Sequence, residues 1–121
     1  LRIAMIKLVA FDLDGTIGDT LPMCIQAFKE ATRPYVGYEL SDDDVVRIFG
    51  LNEEGMIKCV LFNSCWSQAL EDFYVVYEKL HATNCPMPFV GIYELIASLK
   101  QEGIIVVLIT GKGIKSCDIT L

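Results

Sequence analysis

The segment MIKLVAFDLDGT, residues 5–16, sets an apolar run directly against two aspartates, Asp12 and Asp14, followed by Gly15 and Thr16. A short apolar run bounded by Asp and Gly reads as a buried strand over Met5–Phe11. A second run, IIVVLITGKG at residues 104–113, ends at Thr110 before a turn bracketed by Gly111 and Gly113. Both runs are apolar throughout rather than alternating, which suits the interior of a parallel sheet. Parallel neighbours need a crossover. The helical pattern of Ile92–Gln101, stopped by Gly103, supplies one. Ligands of open α/β sheets bind outside the carboxyl ends of the strands. DLDGT and TGKG both lie at such ends.

The stretch between the two runs is helical. Leu21, Cys24, Ile25, Phe28 and Ala31 follow helical spacing, and Pro34 predicts the end of that helix. ELSDDDVVRIFG starts a helix at Ser41, with Asp42–Asp44 in its first turn and Asp44 at the capping-box position. Gly50 suits the exit. Asn52 caps another helix, which Gly55 weakens. A long amphipathic helix is predicted over Ser64–His81, with Trp66, Phe73 and Tyr77 on one core-facing side. NCPMPFVG, residues 84–91, reads as a linker. Gly113–Leu121 begins a further helix. The predicted fold class is therefore α/β. A partial Rossmann-like parallel sheet with two strands is built from 1–19 and 87–121, and an all-helical insertion occupies 20–86.

Composition narrows the function classes. A hydrophobic fraction of 53% argues against disorder, and a net charge of −6 argues against nucleic acid as a partner. No apolar run approaches the roughly 20 residues of a membrane span, so no membrane partner is expected. Lys7 and Asp12 interrupt the N-terminal apolar stretch, which argues against a secretory signal. The expected location is cytoplasmic. Five cysteines form no C-x-x-C pair and accompany a single histidine. They read as small buried hydrophobes rather than zinc ligands.

Asp12 and Asp14 would point to the same side of an extended chain. Two such carboxylates repel. Three arrangements relieve the repulsion: a cation held between them, one carboxyl kept protonated as an acid, or a turn at Gly15 that separates their roles. Phosphoryl transfer accommodates all three. One carboxylate attacks phosphorus, the other moves the proton, and Mg²⁺ offsets the charge. Thr110 and the Gly111 amide are placed to hold phosphoryl oxygens.

FDLDGT after an apolar strand resembles the first motif of the haloacid dehalogenase-like hydrolases, and LITGK is similar to their second. The helical insertion resembles the cap of the branch that holds phosphoglycolate phosphatases and β-phosphoglucomutases. The Thr110-Gly111-Lys112 run leans toward the former. The resemblance implies a Mg²⁺-dependent phosphatase of small phosphorylated metabolites, with a phosphomutase as the alternative reading. It implies that Asp12 is nucleophile and metal ligand. Asp14 would be general acid/base and give the metal its backbone carbonyl. Thr110, Gly111 and Lys112 would bind phosphate. The family's downstream lysine or arginine and acidic pair have no counterpart here. A chain of this family is nearly twice as long, so the unpaired strand edge is expected to meet residues beyond Leu121 or another chain. Little turnover is expected of the 121 residues alone. A non-catalytic interaction module on the same scaffold is the reading from a different class.

Overall fold

The computed structural model describes residues 5–121, so the first four residues of the predicted 1–19 segment lie outside it. The elements run β1 (Leu8–Phe11), α1 (Leu21–Val36), α2 (Asp42–Val46), α3 (Glu53–Val60), α4 (Trp66–Asn84), α5 (Ile92–Gln101), β2 (Ile105–Leu108) and α6 (Ile114–Thr120). They form two compact units. One comprises the chain up to Thr20 with Pro86–Thr110, and the other comprises Leu21–Cys85 with Gly111–Leu121.

In the first unit β1 and β2 pair in parallel, Leu8 opposite Ile105 through Phe11 opposite Leu108. Hydrogen bonds from the Ile105 amide to the Lys7 carbonyl (3.0 Å) and from the Ile109 amide to the Phe11 carbonyl (2.8 Å) extend the ladder at both ends. Helix α5 is the crossover and packs along β2. It starts from Gly91, whose φ of +89° is a left-handed conformation that glycine adopts without a Cβ penalty. After β1 the chain folds back sharply. Leu13 is buried, and its carbonyl receives the amides of Thr16, Ile17 and Gly18 at 3.0–3.4 Å. Gly18 then pairs with Pro88, and the Phe89 amide reaches the Ile17 carbonyl at 2.8 Å. Among the described residues the sheet has these two strands. Leu8 (51%) and Ile105 (59%) remain exposed, where the apolar sequence predicts strands covered on both faces.

The second unit is a helical bundle organised on α1 and α4. Its core contains Met23, Ala27, Phe28, Ile57, Phe73 and Tyr77. Phe73 and Tyr77 stack with ring centroids 5.2 Å apart, and Trp66 and Tyr74 pack against the buried set. The capping box forms as read. The Asp44 amide donates to Ser41 Oγ (3.1 Å), and the Ser41 amide donates to Asp44 Oδ2 (2.9 Å). Asn52 caps α3 by accepting the Gly55 amide at 2.9 Å.

Three expectations are corrected. Helix α1 passes through Pro34 to Val36. Proline costs one N–H···O bond, and here that loss falls in the last turn, next to the helix exit. None of the five cysteines is fully buried. Cys59 and Cys85 are exposed and the others half-buried; Cys24 packs against the helical core, and Cys65 and Cys85 flank α4 rather than lie within it. Residues 111–121, predicted to stay with the strands, pack with the helical unit.

Phe28→Ala is expected to cost about 3–5 kcal/mol of unfolding free energy, because it opens a cavity in the helical core. Ser116 Oγ is buried and has no hydrogen-bond partner among the described residues. Ser116→Ala should therefore be neutral or stabilising by about 1 kcal/mol. Urea unfolding measures both. The Ser41 backbone and hydroxyl bonds hold the Asp44 carboxyl below its usual range. A depressed carboxyl contributes stability above its unfolded pKa and loses it as pH falls through the folded one. Asp44→Asn should flatten the acid limb of the melting-temperature profile, and an unchanged slope would contradict the cap's role.

Candidate active site

The strand-end geometry follows from alternation. Phe11 and Leu13 turn inward, which leaves Asp12 exposed and Asp14 half-buried. Asp12 Oδ1 accepts the Leu13 amide at 2.8 Å, which fixes the carboxylate beside its own backbone. Asp14 Oδ1 accepts the Thr20 hydroxyl. Thr20 is 3% exposed, so its rotamer is set by packing, and its hydroxyl orients Asp14. Sequence reading missed Thr20. Its only signal is a hydroxyl six positions after Asp14, and the turn that closes that gap depends on Leu13, Gly15 and Gly18.

Thr110 follows Ile109, whose amide makes the last ladder bond to Phe11. Asp12 and Thr110 thus stand just beyond the carboxyl ends of adjacent parallel strands, where the sequence places them. Gly111 and Lys112 open the segment that belongs to the helical unit. There the Lys112 ammonium donates to Tyr77 Oη at 2.7 Å and Cys24 Sγ at 3.1 Å, and sits 4.5 Å from the centre of the Tyr77 ring. Burial, reinforced by Cys24, pushes the Tyr77 phenol well above its ordinary value despite the opposing pull of Lys112. The hydroxyl therefore stays protonated.

Glu53 is a second residue that the sequence reading passed over. It is 7% exposed at the start of α3, and its Oε2 accepts the Gly113 amide at 2.9 Å. A Cβ at position 113 would stand 2.7 Å from that oxygen. Glycine gives the Glu53 carboxylate room to reach the amide, and the backbone angle does not demand it, since φ is −67°.

The donors suit a hard cation in kind. Asp12 and Asp14 offer carboxylate and backbone oxygens, and Mg²⁺ takes one or two carboxylates plus waters and substrate phosphates. Among the described residues no group of three or more His, Cys, Asp or Glu gathers in a way that could hold a metal. The two carboxylates are oxygen donors of the kind a divalent cation takes, and they do not form a closed cage. No helix among the described residues is long and apolar enough to cross a membrane.

This arrangement defines an α/β fold whose paired strand ends present a carboxylate and a hydroxyl. Residues 9–121 match the family model of the haloacid dehalogenase-like hydrolases, and the chain belongs to that family. It is 32% identical over 108 residues to a provisionally named pyrophosphatase, PpaX, of Caldanaerobacter subterraneus subsp. tengcongensis, covering 88% of this chain and 48% of that protein. It is 29% identical over 117 residues to the N-acetylmuramic acid 6-phosphate phosphatase of Pseudomonas aeruginosa, covering 93% and 51%. A hydrolase structure from Pseudomonas syringae superposes with a TM-score of 0.77 at 26% identity, over 93% of this chain and 53% of that one. CbbY from Rhodobacter sphaeroides, solved with phosphate, gives 0.77 at 20% identity over 95% and 55%, a likeness of fold. The chain spans about half the length of the curated relatives it matches.

Gly113→Ala should push Glu53 off the Gly113 amide and loosen α6. Amide hydrogen exchange across Ile114–Thr120 is expected to accelerate about tenfold, the loss of one charge-assisted bond. Unchanged protection would show that the Glu53 contact does not hold the helix.

Proposed function

We propose that the whole protein to which this chain belongs is a phosphatase of small phosphorylated metabolites working through an aspartyl phosphate. The observation that carries this reading is the parallel register that sets Asp12 and Thr110 at adjacent strand ends, with Asp14 two residues on and oriented by Thr20. The names of the two relatives support it, since both describe hydrolysis at phosphorus.

Asp12 Oδ attacks phosphorus, and the bond to the leaving oxygen breaks. Asp14 gives that oxygen a proton, then takes one from the water that hydrolyses the acyl phosphate. The Thr110 hydroxyl and the Gly111 amide donate to phosphoryl oxygens, where they stabilise charge that grows in the transition state. Mg²⁺, held by the Asp12 carboxylate and the Asp14 backbone carbonyl, would neutralise charge there when bound. The reading calls for further metal ligands and a further cation beyond the groups named here.

The test is hydrolysis of p-nitrophenyl phosphate by the longest native chain, with and without Mg²⁺. Asp12→Asn should lower kcat by at least about 10³-fold, as loss of a nucleophile does. Asp14→Asn should lower kcat and remove one limb of the pH–rate profile. Turnover that survives Asp12→Asn at the parent rate would overturn the nucleophile assignment. A requirement for a sugar bisphosphate would identify a phosphomutase instead. Absence of any Mg²⁺-dependent turnover would favour the non-catalytic module.

A further inference from the structure

The helical unit contains a polar cluster that the proposed chemistry does not use as such: Cys24 on α1, Tyr77 and His81 on α4, and Lys112 and Thr120 on the 111–121 segment. For a neutral His81 ring its hydrogen bonds run in one direction. His81 Nδ1 lies 2.7 Å from the Tyr77 carbonyl, which can only accept, so Nδ1 carries the proton. In the neutral ring Nε2 is then the acceptor, and Thr120 donates to it at 3.1 Å. With its proton so used, Thr120 accepts from the Tyr77 hydroxyl at 3.1 Å. Tyr77 Oη in turn accepts from the Lys112 ammonium at 2.7 Å and the Cys24 thiol at 3.3 Å. The chain of donors runs from lysine to histidine, ready to carry a proton away from Nζ.

The same ammonium also points at sulfur, with Lys112 Nζ 3.1 Å from Cys24 Sγ. A cation beside a thiol favours the nucleophilic thiolate, the form that peroxides oxidise. Cys24 is half-buried rather than sealed in the core. The nitrogen–sulfur separation is within the range of a near-attack arrangement, roughly 3–3.5 Å. Tyr77 holds both partners from a fully buried position, stacked on Phe73.

We propose that Cys24 and Lys112 form a modification site in which hydrogen peroxide joins them through a sulfur–nitrogen bond. In the first step sulfur attacks peroxide. The O–O bond breaks, an S–O bond forms, sulfur loses two electrons, and one water leaves. In the second step Lys112 Nζ, having passed one proton along Tyr77 and Thr120 to His81, attacks the sulfenic sulfur. The N–S bond forms, the S–O bond breaks, and a second water leaves. The net change is one thiol, one ammonium and one peroxide giving one sulfenamide, two waters and one proton. The link ties α1 to the 111–121 segment and withdraws the Lys112 charge. A thiol reductant reopens it.

Peroxide treatment of the purified chain followed by peptide mass spectrometry tests this. The expected product is a Cys24–Lys112 peptide pair whose mass is the sum of both less two hydrogens, with loss of tryptic cleavage after Lys112. It should disappear on dithiothreitol treatment and be absent from Cys24→Ser and Lys112→Arg. Sulfinic acid at Cys24 with unmodified Lys112 would overturn the proposal, as would a disulfide between Cys24 and another cysteine. The unsubstituted chain decides the matter alone if either variant fails to fold.

Discussion

The hydrogen bond from the Ile109 amide to the Phe11 carbonyl is the last rung of a parallel ladder, and the strand-end geometry depends on it. A parallel pair joined by a helix must finish both strands at the same end of the sheet. Asp12 and Thr110 are therefore neighbours, although 98 positions separate Asp12 from Thr110 in the chain. Slippage of the register by one residue would turn Asp12 inward and Leu13 outward. Burial of Leu13 opposes that slip, so the apolar residue between the two aspartates acts as the lock on their orientation.

The features that the sequence revealed are local ones. Strand type, the DLDGT turn, the Ser41–Asp44 box and the Asn52 cap each depend on residues within a few positions of one another. Pro34 was misjudged because the cost of a proline depends on where in the helix it falls, and that place was fixed by packing against α4. The cysteines were misjudged because hydropathy does not say how deeply a position is buried. Thr20 and Glu53 gave no signal because their partners come from turns and distant chain. Gly113 lies 60 positions from Glu53. Asp12, Asp14 and Thr110 take their positions from β-geometry, which an apolar strand pattern makes legible. Lys112 was placed by its neighbours in the motif, whereas its observed contacts are with α1 and α4.

The two units illustrate different ways of satisfying apolar surface. The helical unit closes its own core around Phe28, Phe73 and Tyr77. The strand unit leaves Leu8 and Ile105 exposed on a two-stranded sheet, a form that is marginal alone in water. Stability in this chain is therefore uneven. The proposed reactive carboxylates belong to the less self-sufficient unit.

The fit of Gly113 against Glu53 has a consequence for how this sequence can vary. A side chain at 113 would meet the carboxylate that holds the backbone, so Glu53 would have to swing off the Gly113 amide to make room. A shorter acid at 53 would make room but retract from the amide. The two positions are thus coupled through one bond: bulk at 113 or a shorter acid at 53 would each cost the start of α6 its carboxylate acceptor.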